Sequence, residues 1–377
     1  MGRLRMFLAL AVLACVIPAQ ASAASTTTVP DVPASFWAHA QIVWSVKAGW
    51  VPLHKNGTFA PGRNATRAAA ARVLASLNEQ QHGVAISNDP FQQAVDGGWI
   101  GAGLGPGSTL TQLEFDRGIV RVMGLKKDSI RLRQITAADG WQPKLPTGFA
   151  AEQIVRDIGA RWNVPFGADN WETWPSTTLR RANLAVQAYL LGHLPSYWQS
   201  SVDTQMNVVH ALPAYTPLKK AVLGYALKWS GAPYIWGGSS DQPQDPFGLP
   251  AAAGFDCSGF VWWVMKRSYT VPGKTWDGTA KIPWRTTYDM AAHLPVAKRI
   301  PYRSLKPGDI LFWSSSAPHG VLTNSSAVDH TGIYLGKGWT INSHGSGAGV
   351  TINYMGAGAG WYHDNFVFGW RIMPRGV

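Results

Sequence analysis

Cys257 and His330 are the residues whose types and surroundings could carry nucleophilic chemistry. The 377-residue chain has two cysteines. Cys15 falls in an N-terminal segment that reads as an export signal, so the mature chain keeps Cys257 alone and can form no internal disulfide. An exported protein retains a lone thiol for pairing with another chain, for chemistry, or as an inert buried side chain. Around it the chain reads Gly254-Phe255-Asp256-Cys257-Ser258-Gly259-Phe260-Val261-Trp262-Trp263-Val264-Met265. The apolar run after Cys257 predicts a buried helix with the thiol in its first turn, where the partial positive charge and free N–H groups favour thiolate over thiol. Ser258 and Gly259 are small enough there for a substrate backbone to approach.

A thiol nucleophile also needs a proton carrier for the leaving amine. His330 opens the strand-like His330-Thr331-Gly332-Ile333-Tyr334-Leu335, and Gly336-Lys337-Gly338 turns the chain into Trp339-Thr340-Ile341-Asn342-Ser343-His344. Side chains alternate across a strand, so His330, Asn342 and His344 share a face of this hairpin. A polar side chain beside the histidine would accept its second ring N–H and fix the tautomer. Any one histidine is more often a surface residue than a catalytic one. A cysteine at a helix start with a strand-borne histidine and a same-face asparagine downstream is a much rarer combination.

The elements that must position these residues divide along the chain. Residues 1–24 carry Arg3 and Arg5, an apolar run from Met6 to Ile17 and the small-residue stretch Ala21-Ser22-Ala23, the pattern of a secretory signal. The run is shorter than the roughly 20 apolar residues of a spanning helix; acylation at Cys15 is the alternative, and no later stretch is long enough to span. Residues 25–194 read as three helical units, about 31–78, 88–125 and 148–194. The helices fall at Phe36 to Ala48, Arg67 to Leu77 with Thr66 as cap, Pro90 to Trp99, Thr111 to Met123 with Glu114 completing a capping box, Ala151 to Trp162, and Ser176 or Thr177 to Leu191. Such units cannot each bury a core and must pack on one another. Residues 195–215, with prolines at 195 and 213, read as a linker, and Thr216-Pro217 opens a helix that begins an α+β domain over 216–377.

The net charge is +12, or 12 − 2 = +10 without Arg3 and Arg5. A basic exported chain meets anionic wall polymers and stem-peptide carboxylates, and the lack of a Lys/Arg run in the mature chain speaks against nucleic acid. No Cys/His cluster has ligand spacing, so no metal or cofactor is expected.

The C-terminal part, from Thr216 to about Pro374, resembles the NlpC family of papain-like cell-wall cysteine peptidases. The resemblance rests on Pro233-Tyr234-Ile235-Trp236-Gly237-Gly238, the Asp256 to Phe260 motif, Leu305-Lys306-Pro307-Gly308-Asp309-Ile310 and the hairpin from His330. It implies an α+β papain-like domain with a helix on an antiparallel sheet, Cys257 as nucleophile and His330 as base. By its register the third catalytic residue is Asn342, with His344 the alternative. It further implies that Tyr234 helps hold the oxyanion and that Asp256, Ser258 and Trp236 contact substrate. The implied activity is hydrolysis of peptidoglycan stem peptides, at a γ-D-glutamyl-diamino acid bond, by a secreted, wall-associated enzyme. Amidase or transpeptidase action on the same fold, and a non-catalytic surface protein, are the alternatives. Two stretches depart from the family pattern, 241–253 and 314–328, and both should border the cleft. The helical units resemble S-layer homology repeats through Asp31-Val32, Trp37, Gly49 and Thr66-Arg67, with fewer matches in the second and third units. That resemblance implies binding of anionic secondary wall polysaccharide, with Trp37 and Arg67 as contacts; packed helical spacers with core tryptophans are the other reading.

Overall fold

The computed structural model describes residues 28–316, 322–323 and 325–374. The export signal expected at 1–24 and Cys15 lie outside the described residues, as does part of the 314–328 stretch.

Seven helices lie between residues 39 and 192: α1 (His39–Lys47), α2 (Arg67–His82), α3 (Pro90–Asp96), α4 (Gln112–Val122), α5 (Lys126–Leu132), α6 (Phe149–Asp157) and α7 (Arg181–Gly192). The hydroxyl of Thr66 accepts the Ala69 N–H at the start of α2. Thr111 and Glu114 form the reciprocal capping box of α4, as the residue spacing predicts. The entries to α2, α4 and α7 pair in a ring, through the antiparallel bridges Thr66 with Thr109, Thr111 with Thr178, and Arg180 with Asn64. This ring corrects the start of the last helix. Thr178 and Arg180 are spent on bridging, so α7 begins at Arg181 and not at Ser176 or Thr177. Helix α5 lies between the second and third expected units, where no helix was expected.

The expected linker is also corrected. Within 195–215 the chain forms α8 (Trp198–Met206) and a 3-10 turn at Asn207–His210. Val202, Met206 and Val209 recur at helical spacing and are buried, and the N–H groups of Thr136 and Ala138 bond the carbonyls of Val209 and Leu212. The prolines stand outside this helix and so do not break it.

The remainder is α+β. Helix α9 (Pro217–Leu227) has Thr216 as cap and Pro217 in its first turn. The ribbon β1 (Ser239–Ser240) with β2 (Gly254–Phe255) leads into α10 (Cys257–Met265). A second ribbon, β3 (Ser268–Val271) with β4 (Lys274–Asp277), precedes α11 (Thr287–Ala292). The main sheet comprises β5 (Arg299–Ile300), β6 (Ile310–Trp313), β7 (His330–Gly336), β8 (Trp339–His344), β9 (Gly349–Tyr354) and β10 (Phe366–Trp370), with α12 (Trp361–Asp364) before the last strand. Its order is β5-β10-β6-β7-β8-β9, antiparallel throughout. Helix α10 lies against β7 and β8 and buries Phe260, Val261, Val264 and Met265.

Helical units and sheet share one apolar core. The side chain of Gln153 on α6 accepts the Ile352 N–H and donates to the Ile352 carbonyl, both at 3.1 Å, which satisfies part of the free edge of β9. Arg156 donates to the carbonyls of Gly347, Ala348 and Gly231 and pairs with Glu152. Among the described residues no helix is long and apolar enough to cross a membrane.

Candidate active site

Asp256 caps α10, its carboxylate accepting the Gly259 N–H at 2.5 Å, and Cys257 is therefore the first helical residue. The Ser343 hydroxyl donates to the Phe255 carbonyl, which ties β8 to the strand that delivers the cysteine. Gly259 is small for a reason other than substrate approach. A Cβ there would fall 2.0 Å from the Gly238 carbonyl oxygen, so the helix start and the 238 loop can touch only through glycine.

The Cys257 sulfur lies 3.4 Å from the Thr287 hydroxyl and close to the backbone N–H of Thr331, the residue next to His330. These contacts bring the thiol to the head of β7. His330 Nε2 bonds Asn342 Oδ1 at 3.1 Å. The amide orientation is fixed from behind, because Asn342 Nδ2 donates to Asn353 Oδ1 and the Tyr362 hydroxyl donates to Asn342 Oδ1. With Oδ1 accepting, Nε2 carries the proton and Nδ1 is left as the basic nitrogen. Strands β7 and β8 pair Ile333 with Ile341 and Tyr334 with Thr340, a register that brings His344 level with His330. Both downstream candidates thus meet the histidine, in different ways. Asn342 makes the hydrogen bond, whereas His344 packs edge-on with ring centroids 4.4 Å apart and has its Nδ1 occupied by Ser346.

The protonation states differ from the sequence expectation. Burial, followed by the Asp256 charge, pushes the Cys257 thiol up to about 11, against the smaller opposing influence of the Thr287, Thr331 and Ser258 hydrogen bonds. A helix N-terminus favours thiolate locally, but in this enclosed position desolvation wins. Burial, then the neighbouring His344, also lowers the pKa of His330 well below the ordinary imidazole value, partly offset by Asn342. The resting pair is neutral thiol and neutral imidazole, so the chemistry open to it is attack concerted with proton transfer to His330 Nδ1.

Tyr234 is buried beside the thiol; burial and the nearby cysteine raise its pKa, so it stays a hydroxyl donor. Asp256 and Ser258 join a cluster centred on Arg285, which sequence reasoning missed. Arg285 donates to both Asp256 oxygens, the Ser258 hydroxyl and the carbonyls of Gly237 and Gly238. Trp236 is 56% exposed, and its backbone N–H lies near the Asp169 carboxylate of the third helical unit. The 241–253 stretch presents Phe247 against Phe166.

The two wall-polymer candidates are placed differently from expectation. Arg67 is 3% exposed, spent on the Gly101 carbonyl and Glu114, and is corrected from ligand contact to internal tie. Trp37 is half-buried against Phe36 and Trp171, so its ring is part of the packing between units and does not offer a free face. Among the described residues no group of three or more His, Cys, Asp and Glu side chains is placed to hold a metal ion.

Comparison with known proteins places this geometry. The chain is 33% identical over 128 residues to the bifunctional muramidase/DL-endopeptidase CwlT of Bacillus subtilis, a match covering 34% of this chain and 30% of that protein. It is 31% identical over 128 residues to the murein DD-endopeptidase MepH of Escherichia coli, covering 34% and 37% respectively. The chain thus spans about a third of the length of these curated relatives. Among solved structures it is similar to the peptidoglycan hydrolase RipB of Mycobacterium tuberculosis, at 22% identity and a TM-score of 0.28, over 42% of this chain and 65% of that one. Residues 231–368 match the family model described as the NlpC/P60 family, and the stretch bearing Cys257, His330 and Asn342 is an NlpC/P60 domain.

Proposed function

We propose that the protein is a secreted peptidoglycan hydrolase that cuts stem peptides at a γ-D-glutamyl-diamino acid bond. The observation that carries this reading is a free thiol at a helix start, close to the N–H beside a histidine whose far nitrogen is fixed by an asparagine. His330 Nδ1 takes the Cys257 proton as sulfur attacks the scissile carbonyl. The oxyanion is held by the Cys257 N–H and the Tyr234 hydroxyl. His330 then protonates the departing amine, and water activated by the same nitrogen hydrolyses the thioester. Asp256, Ser258 and Arg285 flank the acyl side. The peptidoglycan-directed names of the relatives support this substrate class.

The test is digestion of purified peptidoglycan by the full chain and by Cys257→Ala, with mass spectrometry of the products. The expected result is new γ-D-glutamyl carboxyl and diamino-acid amino termini with the wild type alone. Intact stems freed from glycan would instead establish an amidase, and undiminished digestion by Cys257→Ala would remove the cysteine mechanism. A wall-anchoring role for the helical units is a second reading, which rests on their resemblance to S-layer homology repeats and would need contacts other than Arg67 and Trp37. Sedimentation of Cys257→Ala protein with walls before and after removal of secondary polysaccharide tests it.

A further inference from the structure

A recess among the helical units shares no lining residue with the candidate active site. Its volume is about 220 Å³, below the roughly 300–1,000 Å³ of sites that enclose a whole small molecule, so it has room for a chemical group on a longer chain. Four cations line it: Arg117 and Arg121, one turn apart on α4, Lys126 at the start of α5 and Arg133 just past its end. All four are exposed. Thr147 and Gly148 complete the lining at the entry to α6.

No acid lines the recess, and among the described residues none of the four cations enters an ion pair. Arg121 gives one nitrogen to the Gly98 carbonyl at 2.9 Å and, at 3.4 Å, to that of Trp99. Its other nitrogens stay open, as do the side chains of Arg117, Lys126 and Arg133. Like charges gathered without a counter-charge repel, a cost that a bound anion would relieve. Gly148 offers no side chain to cap α6, so the partial positive charge of that helix start adds to a field the four cations already set.

The arrangement also selects among anions. Cations approaching from separate elements suit a group with oxygens in several directions, as phosphate has, whereas a single guanidinium fork already satisfies a planar carboxylate. No aromatic ring lines the recess on which a base could stack, which speaks against single-stranded nucleic acid. Charges set in a concavity meet a group on a chain more closely than they meet the plane of a membrane surface.

We propose that this recess binds a phosphodiester of a polyol phosphate chain, as an anionic wall polymer carries. The inference rests on the wall-anchoring reading for the source of the polymer and gives that reading a contact surface other than Arg67 and Trp37.

Calorimetric titration of the full chain with a synthetic glycerol phosphate oligomer tests it. Arg117→Gln and Arg133→Gln should each weaken binding about tenfold. Arg131→Gln removes an equal charge from an exposed position outside the recess and should change Kd by no more than about twofold. No binding by wild type, or equal weakening by all three variants, would overturn the proposal. Tighter binding of phosphatidylglycerol vesicles, with the same dependence on Arg117 and Arg133, would assign the recess to a lipid headgroup and also overturn it. Sedimentation with isolated walls separates this inference from the reading beneath it. Walls that hold wild type and both recess variants equally would keep the anchoring reading and overturn the recess. Walls that hold none of them, with oligomer binding still dependent on Arg117 and Arg133, would remove the anchoring reading and leave the recess as a phosphodiester site.

Discussion

His330 sits under opposing influences. Burial and His344 lower its pKa while Asn342 raises it. The imidazole therefore stays a neutral base below the ordinary value near 6.5, and the acid limb of kcat/KM should lie well below that pH. His344→Gln removes one of the lowering influences, so the limb should move to higher pH; a pH profile of the variant checks it, and an unmoved limb would show that His344 does not tune the base. Arg285→Lys cannot reproduce a planar fork that reaches two carboxylate oxygens, a hydroxyl and two carbonyls. Its KM should rise about tenfold with a smaller change in kcat. Cys257, His330 and the two same-face candidates Asn342 and His344 were legible in the sequence because a thiol before an apolar run and the alternation of a hairpin are local patterns, whereas the preference for Asn342 came from the family register. Arg285, Asn353 and Tyr362 reach the site from separate segments, and no spacing announces them. The thiol's raised pKa was illegible for a related reason: a helix end is local, whereas desolvation is a property of the packed whole.

Elements followed their caps wherever a side chain does the capping. Thr66, Thr111 and Thr216 each mark a helix start that the structure keeps. Arg180 makes no side-chain cap, and the start of α7 is decided by ring bridging that only the fold supplies. Helix α8 was hidden by flanking prolines that the eye reads as breakers. The segment between α6 and α7 carries a further consequence. Burial raises Glu172 to about 7 although it accepts the Val164 N–H. Its folded pKa exceeds its unfolded one, so its contribution to stability is present below about 4.5 and is lost as pH rises through about 7. Glu172→Gln keeps the acceptor and removes the titration. Thermal melts should show the wild type losing on the order of 3 kcal/mol relative to this variant between pH 5 and pH 8.

At the scale of the molecule, the helical units and the NlpC/P60 domain are not beads on a string, and the sequence, read segment by segment, could not show their shared core. Arg156 joins them by closing three carbonyls and a buried acid. Arg156→Ala leaves Glu152 with one cation fewer and those carbonyls unmet, and should cost about 3–5 kcal/mol, read as a lower Tm with activity falling in parallel. The ring of helix entries bears on how such a molecule is made. Its closing bridge joins Asn64 to Arg180, so the first unit cannot finish until the third has been threaded out. Contacts so distant along the chain close slowly, and α6, which seals the edge of the catalytic sheet, belongs to that same late-closing assembly. A chain that emerges from its N-terminus would therefore complete its C-terminal domain last, after the parts that precede it have locked.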